Sequence, residues 1–222
     1  MERQGDALMN KVIHIDPENP SAEVVNLAAT VLKDGGILVF PTETVYGIGA
    51  SATSAIGSQE IIDIKMRPKN KPLPWLVEDE AALDEYGVDV PEYAHRLARA
   101  LWPGALTIVV KANEKVASEF TDDRGTVALR SPAYGLVQDL IRASGAAIIT
   151  TSANTSGLPA VGSFEELEER IIAAADLALD GGETPHRVAS TVVDCTGPEP
   201  VVTRVGPVSP EAVAAAAKGL TA

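Results

Sequence analysis

The amino-acid sequence predicts an α/β fold built around a mixed, twisted β-sheet. Segments with helical periodicity alternate along the chain with short apolar segments typical of strands. Two of the latter, Ile37–Phe40 and Ala147–Thr150, are apolar along their length, as expected for strands covered on both faces. No internal repeat and no long linker divides the 222 residues, so we expect one domain.

The first half of the chain begins with a polar leader and a predicted strand at Lys11–Ile15. Ser21 is a suitable N-cap for the following helix, which Gly35-Gly36 ends. Its apolar stripe consists of Val24, Leu27, Ala28, Val31 and Leu32. After the strand Ile37–Phe40, the pattern predicts a helix at Gln59–Lys65, a strand at Leu73–Val77 and a helix from Pro91 to Leu101.

The second half continues the alternation. Ser163 and Glu166 form a capping box that predicts a helix start, and Pro210 opens an Ala-rich terminal helix. The other elements are strands at Leu106–Val110, Val127–Leu129, Ala147–Thr150, Thr191–Asp194 and Pro200–Arg204, and a helix at Leu136–Ser144.

Composition excludes several classes of protein. Eighteen basic residues against 31 acidic ones give a net charge of −13, which disfavours a protein that coats nucleic acid or an anionic membrane. The single cysteine, Cys195, excludes an internal disulfide framework and a multi-cysteine zinc site. Neither a signal peptide nor a transmembrane run is visible. We therefore expect a cytoplasmic protein without membrane association.

The first chemically suggestive segment is P-T-E-T-V-Y-G, residues 41–47, directly after a buried strand. Ligands of open α/β sheets tend to lie beyond the carboxyl ends of strands. Thr42 and Thr44 offer hydroxyls there, and Glu43 offers a carboxylate. Taken alone, the segment is better explained as a turn rich in Pro, Thr and Gly.

The second segment, K-M-R-P-K-N-K at residues 65–71, places four of the chain's 18 cations in seven positions. Because Pro68 breaks the helix, the cations are free to converge on one polyanion such as a triphosphate. The alternative is a solvated helix C-terminus whose cations complement the helix dipole.

The third segment is T-T-S-A-N-T-S-G-L-P, residues 150–159, which again follows an apolar strand. Turn chemistry explains Asn154, Ser156, Gly157 and Pro159, but it explains the unbroken hydroxyl series of Thr150–Ser152 less well. Arg130 closes a V-A-L strand, where it either pairs on the surface or binds an anion; Ser190 and Arg204 follow later. There is no P-loop, H-E-x-x-H or G-x-S-x-G motif, so the chemistry would depend on positioning and charge stabilisation.

Together these segments resemble the YrdC-like family of threonylcarbamoyl-AMP synthases, from about Ala22 to Pro207. K-x-R at Lys65–Arg67 followed by S-x-N at Ser152–Asn154 is the family's hallmark. The segments P-T-E-T-V-Y-G, W-P-G-A-L-T, V-A-L-R and S-T-V-V-D occur around it in the family's order.

The resemblance implies an open twisted sheet with flanking helices and a concave, locally positive ligand-binding face. Residues 1–20 would hold the leader and first strand of the same domain, residues 21–208 the catalytic domain, and residues 209–222 a C-terminal helix. The implied enzyme is a nucleotidyltransferase that joins L-threonine, bicarbonate and ATP into threonylcarbamoyl-AMP, with release of pyrophosphate. A separate transferase complex would carry the threonylcarbamoyl group to tRNA, and direct tRNA contact is expected to be weak.

The resemblance also implies two groups of site residues. The nucleotide side comprises Lys65, Arg67, Lys69, Thr126, Ser152, Asn154 and Arg204, with Lys65 and Arg67 as the catalytic cations. The threonine side comprises Thr42, Arg130, Thr150 and Ser190. Mg²⁺ would accompany ATP through its phosphates, since no carboxylate cluster marks a dedicated metal site.

The chain departs from the family pattern at four places, Leu76, Ala133-Tyr134, Ala189 and Val205. These positions bear on details of threonine contact, and none removes a cation from the implied site. Two alternatives remain. One is a relative that forms another carbamoyl adenylate, like a segment of the hydrogenase-maturation carbamoyltransferases, and the other is a non-catalytic RNA-binding module.

Overall fold

The computed structural model describes residues 11–66 and 73–220. Within these residues, ten strands form one mixed sheet with flanking helices, and the strands at its two ends do not pair with each other. The predicted α/β fold with an open, mixed sheet is therefore confirmed.

The bounds of the elements are as follows. The strands are β1 (Val12–His14), β2 (Leu38–Phe40), β3 (Gly47–Ser51), β4 (Trp75–Leu76), β5 (Leu106–Lys111), β6 (Thr126–Arg130), β7 (Ile148–Ser152), β8 (Leu177–Asp180), β9 (Thr191–Asp194) and β10 (Val201–Arg204). The α-helices are α1 (Ala22–Lys33), α2 (Ala55–Ile64), α3 (Ala82–Tyr86), α4 (Glu92–Leu101), α5 (Gly135–Ser144), α6 (Glu169–Ala174) and α7 (Pro210–Ala217).

The strand order is β1-β8-β2-β3-β7-β4-β6-β5-β9-β10. Four neighbouring pairs are parallel (β1–β8, β8–β2, β4–β6 and β5–β9), and the other five are antiparallel. This order places β7 beside β3, so that Gly47 pairs with Ser152. Leu76 in turn pairs with Arg130. Segments that are far apart in sequence thus meet at one region of the sheet.

Alternate strand residues pack into two apolar layers, one on each face of the sheet. Leu38 and Phe40 of β2 belong to the layer that contains buried residues of α1 and α5. Val39, between them, belongs to the layer that contains buried residues of α4 and α7. We refer to the first side of the sheet as the α1/α5 face.

The predicted caps of the first helix are confirmed. Ser21 accepts a hydrogen bond from the Val24 N–H through its side chain, and Gly35 adopts a φ of +82° after the last turn. The predicted apolar stripe is partly wrong, because Leu27 is 47% exposed whereas Val25 and Ala29 are buried. The buried stripe of α1 is Val25, Ala28, Ala29 and Leu32.

Two predicted helix starts also need correction. The helix predicted at Gln59 begins at Ala55, capped by the side chain of Ser54. The capping box of Ser163 and Glu166 is present, but it encloses only a 3₁₀ turn at Phe164–Glu166. The next α-helix, α6, starts separately after that turn.

Candidate active site

A pocket of about 160 Å³ lies where the polar segments of several strands meet. We call it the arginine pocket, because Arg130 and Arg204 both line it. Its other lining residues are Thr42, Thr44, Val45, Tyr46, Gly47, Pro74, Leu76, Thr107, Thr150, Thr151, Ser152, Ala189 and Ser190. Its volume is below the roughly 300–1,000 Å³ of pockets for drug-sized ligands, so it suits a small molecule or one part of a larger one.

The arginine pocket lies on the α1/α5 face. Leu129 and Ile149 belong to the apolar layer on the other face, so Arg130 and Thr150, which follow them, project from the α1/α5 face. The apolar layer on this face contains residues of β2, β4, β7 and β8 but, among the described residues, none of β5, β9 or β10. This half of the face carries polar pocket residues, among them Thr107 and Ser190, where the other half carries the apolar layer.

Arg130 is held from three sides at the end of β6. Its Nε donates to the Gly104 carbonyl oxygen at 3.2 Å, and its Nη1 donates to Thr44 Oγ1 at 2.9 Å. Its Nη2 lies 2.6 Å from Glu43 Oε1 in an ion pair whose side chains are 8% and 5% exposed. The surface pairing that the sequence left open for Arg130 is therefore wrong, since both partners are buried.

Arg204 and Ser190 form a second polar group of the pocket. Arg204 donates through Nε to the Ser190 carbonyl oxygen at 2.9 Å and through Nη2 to Ser190 Oγ at 3.1 Å. Ser190 Oγ also shares a 2.8 Å hydrogen bond with Thr107 Oγ1. Although Arg204 is an exposed residue as a whole, desolvation of its guanidinium and the nearby charge of Arg130 lower its pKa. The two arginines thus make the pocket locally positive.

The turn before β3 presents further hydroxyls. Thr42 Oγ1 lies 2.8 Å from Thr44 Oγ1 and donates to the Val45 carbonyl oxygen at 2.8 Å. Thr150 Oγ1 donates to the Ile48 carbonyl oxygen at 3.2 Å. These contacts fix the side chains of the two threonines predicted from the sequence.

The predicted cation Lys65 is buried behind the end of β7, with 1% of its surface exposed. Its ammonium donates to the carbonyl oxygens of Ser152 and, at 2.6 Å, of Asn154. The Ser156 N–H donates back to the Lys65 carbonyl oxygen at 2.9 Å. A solvated helix terminus therefore does not describe Lys65. Its neighbour Ser152 lines the arginine pocket, so Lys65 of the K-x-R motif adjoins the S-x-N motif at the pocket.

The structure places the predicted residues in three groups. Those that line the arginine pocket are Thr42, Arg130, Thr150, Ser152, Ser190 and Arg204. Lys65 and Asn154 lie directly behind Ser152, whereas Thr126 is at the opposite end of β6 from Arg130, about 13 Å along the strand. Its backbone N–H donates to Asp122 there. The remaining two, Arg67 and Lys69, lie outside the described residues.

Sequence analysis missed two contacts and one residue of the site. Thr44 and Glu43 were noted as polar groups, but nothing in the sequence showed that both contact Arg130. Thr107 was missed entirely. Its signal was a single hydroxyl residue inside the apolar run L-T-I-V-V of β5, which suggested a position facing a ligand or a partner rather than the core.

In residues 11–66 and 73–220, no group of three or more His, Cys, Asp or Glu residues could hold a metal ion. Over the same part of the chain, no helix combines the length and apolar character that crossing a bilayer requires.

Comparison with known proteins agrees with this geometry. Threonylcarbamoyl-AMP synthase from Pyrococcus abyssi is 37% identical over 82% of this chain and 54% of its own length. A putative threonylcarbamoyl-AMP synthase from Mycobacterium tuberculosis is 36% identical over 90% of this chain and 91% of its own length. The crystal structure of P. abyssi Sua5 complexed with L-threonine matches 95% of this chain and 62% of that one, with 34% identity and a TM-score of 0.88.

The chain spans about half the length of the Pyrococcus relative and nearly all of the mycobacterial one. A family model named Sua5/YciO/YrdC, with the description "Telomere recombination", matches residues 30–206. Because that match covers most of the sequence, including all the segments that form the arginine pocket, the chain belongs to the Sua5/YciO/YrdC family.

Proposed function

We propose that this protein is a threonylcarbamoyl-AMP synthase, which converts L-threonine, bicarbonate and ATP into threonylcarbamoyl-AMP and pyrophosphate. The observation that carries the proposal is the arginine pocket itself. Two guanidinium groups and several hydroxyls surround a space suited to a small amino acid. Ser152 of the S-x-N segment, which is held by Lys65, lines that space, and the second, larger substrate would lie beside it.

Threonine would occupy the arginine pocket. Arg130 would bind its carboxylate, because a guanidinium offers parallel N–H donors that match a carboxylate. Thr42, Thr150 and Ser190 would contact the amino and hydroxyl groups. The relative whose structure contains L-threonine shares this fold at 34% identity, which supports the choice of amino acid.

ATP would lie beside the pocket, since a nucleotide exceeds its volume. Ser152 and Arg204 line the shared border, and Lys65 and Asn154 support it from behind. Arg67 and Lys69 would contact the phosphates, although both lie outside the described residues. Thr126, which lies at the other end of β6 from Arg130, would contact a more distant part of the nucleotide. Mg²⁺ would be held by the triphosphate and water, which suits a chain without a carboxylate cluster in its described part.

The chemistry would proceed in two steps. The threonine amine adds to bicarbonate, which loses water to give N-carboxythreonine. The new carboxylate then attacks the α-phosphorus of ATP, and pyrophosphate leaves as the phosphoanhydride bond breaks. The residues present would act by holding the two reactants together and by stabilising phosphate charge.

The product would be passed to a separate complex that modifies tRNA, which makes the protein part of tRNA modification in the cytoplasm. The net charge of −13 disfavours the alternative of a non-catalytic RNA-binding module.

The test is to incubate the protein with ATP, bicarbonate and threonine and to identify the product by mass. Pyrophosphate release should require both threonine and bicarbonate, and equal release without threonine would contradict the proposal. In an Arg67→Ala variant, turnover should fall by about two orders of magnitude, the effect of losing one charge-stabilising donor. Gel shifts that persist at high salt, without turnover, would favour the RNA-binding alternative.

A further inference from the structure

Glu43 is a buried carboxylate whose side chain contacts Arg130, a residue of the arginine pocket. Its Oε1 lies 2.6 Å from Arg130 Nη2 and also accepts the Ala133 N–H at 2.9 Å. Its Oε2 is buried and has no hydrogen-bond partner among the described residues. Glu43 itself is not one of the described residues that line the pocket.

The need to hold Arg130 in place does not by itself explain why residue 43 is a charged carboxylate. The guanidinium already has oxygen partners in Thr44 and Gly104, which orient it without any second charge. Buried ion pairs are also a poor source of stability, because desolvation of the two charges offsets most of their attraction. The distinctive property of Glu43 at this position is therefore its negative charge.

That charge alters what the pocket attracts. The described charged residues in its wall are Arg130 and Arg204, and two guanidinium groups alone would bind a phosphate dianion well. Glu43 offsets one of the two positive charges. A zwitterionic amino acid brings one carboxylate and one ammonium, so an extra negative charge nearby costs it little. A phosphate dianion carries two negative charges and no positive one, so the carboxylate of Glu43 repels it strongly.

We propose that Glu43 is a specificity-determining residue, whose carboxylate makes the arginine pocket accept a zwitterionic amino acid and reject phosphate dianions. The inference rests on the proposed function, in which the carboxylate of threonine lies at Arg130 and the triphosphate of ATP lies beside it. The carboxylate of Glu43 would keep free phosphate and the phosphates of ATP out of the threonine half of the site.

The experiment compares Glu43→Gln, which keeps the size and the acceptor for the Ala133 N–H but removes the charge, with Glu43→Asp, which keeps the charge but shortens the side chain. Threonine binding is measured by calorimetry without ATP, alone and in competition with inorganic phosphate. In Glu43→Gln, phosphate should compete about tenfold more strongly, as expected for removal of one nearby charge. Threonine affinity should stay the same or fall. Glu43→Asp should keep the wild-type preference.

Glu78→Gln is the matched control, because Glu78 pairs with Arg142 at 2.8 Å in an exposed ion pair. It should change neither ligand's affinity. If Glu43→Gln and Glu43→Asp weaken both ligands alike, Glu43 is only structural and the inference is wrong. If Glu43→Gln does not fold, loss of the preference in Glu43→Asp overturns the inference and its retention supports it. Absence of threonine binding to the wild-type protein would instead contradict the proposed function, and direct titration with phosphate would still show whether Glu43 excludes dianions.

Discussion

The ammonium of Lys65 donates a hydrogen bond to the carbonyl oxygen of Asn154, 2.6 Å away, and so joins the end of α2 to the segment after β7. The same ammonium lies 3.3 Å from Asn154 Oδ1 and also contacts the Ser152 carbonyl oxygen. Lys65, the first residue of K-x-R, is therefore in direct contact with the S-x-N motif. We expect Lys65 to set the shape of the pocket border as well as its charge.

We predict that Lys65→Ala destabilises the fold by about 3 kcal/mol. The substitution leaves buried carbonyl oxygens without their charged donor, and hydrogen bonds to charged groups contribute about 1.5–3 kcal/mol each. Urea unfolding measures this change as a lower midpoint at an unchanged slope. The matched control is Lys33→Ala, at the exposed last turn of α1, which should cost no more than about 1 kcal/mol. Equally small decreases in the free energy of unfolding of both variants would show that the buried contacts of Lys65 do not contribute to stability.

A second prediction concerns Gly47, the first residue of β3. A Cβ atom at this position would lie 2.9 Å from Thr150 Oγ1, which is closer than nonbonded contact allows. Gly47→Ala should therefore displace Thr150, reduce threonine affinity at least severalfold, and destabilise the fold by about 1–3 kcal/mol, as overpacking does. Calorimetry and urea unfolding measure the two effects.

Gly135→Ala is the control for Gly47→Ala. A Cβ at Gly135, at the start of α5, would meet nothing within 4 Å, so this variant should bind threonine normally and be as stable as the wild type or slightly more so. Normal threonine binding in Gly47→Ala would show that Thr150 does not contact the ligand.

The sequence predicted the parts of the fold that local chemistry determines. Strands such as β6 and β7 have apolar runs, and α1 has a side-chain cap and a glycine stop. It did not predict β3, whose G-I-G-A-S sequence lacks the usual strand residues. The glycines of this strand are needed because β7 lies very close to it: a Cβ at Gly49 would lie 2.8 Å from the Ile149 carbonyl oxygen. Such a requirement arises only once the strand order is known.

The contacts within the site also depend on the strand order. Arg130 was predicted to emerge near the ligands because it closes an apolar strand, and it does line the pocket. Its pairing with Glu43 could not be predicted, because the two residues are brought together only by the strand order. Thr126 is assigned to the nucleotide by the resemblance alone; it lies at the other end of β6 from Arg130, and its contact with the nucleotide stays a prediction. Motif order therefore predicted which segments meet at the arginine pocket, whereas the contacts between them depend on the topology.

A third prediction uses the chain's single cysteine. Cys195 is 1% exposed, and desolvation, with a smaller effect from Asp194, raises the pKa of its thiol to about 12. Because the thiolate is the reactive form, iodoacetamide at pH 8 should leave the folded protein unmodified and label it in urea. Labelling of the folded protein at the rate of a free thiol would contradict the buried position.

The same pKa predicts how stability depends on pH. The thiol has a pKa of about 8.5 in an unfolded chain, so the folded state holds its proton more tightly. The protonated thiol's contribution to the free energy of unfolding is complete below pH ~8.5. It is lost as pH rises towards 12, by up to about 1.36 kcal/mol per pH unit. Between pH 9 and 11, the free energy of unfolding should therefore fall more steeply in the wild type than in Cys195→Ala, which also serves as the control for tyrosine ionisation.

The last prediction separates the two halves of the site through Arg130→Lys. A lysine ammonium cannot replace the guanidinium that reaches Gly104, Thr44 and Glu43 at once, nor can it offer a carboxylate two parallel donors. Threonine binding should weaken by about 1.5–3 kcal/mol, the range for a charge-assisted hydrogen bond, while ATP affinity without threonine should hardly change. Calorimetry with each ligand alone measures both values.

Arg142→Lys provides the comparison, because Arg142 forms exposed ion pairs with Glu78 and Asp139 that contribute at most about 1 kcal/mol. It should leave both affinities unchanged. If Arg130→Lys lost affinity only for ATP, the guanidinium would belong to the phosphate side, and the division of the site would be wrong. If neither affinity changed, the threonine carboxylate would have to lie at Arg204, the other guanidinium of the arginine pocket, and Arg130 would serve only to pair with the buried Glu43.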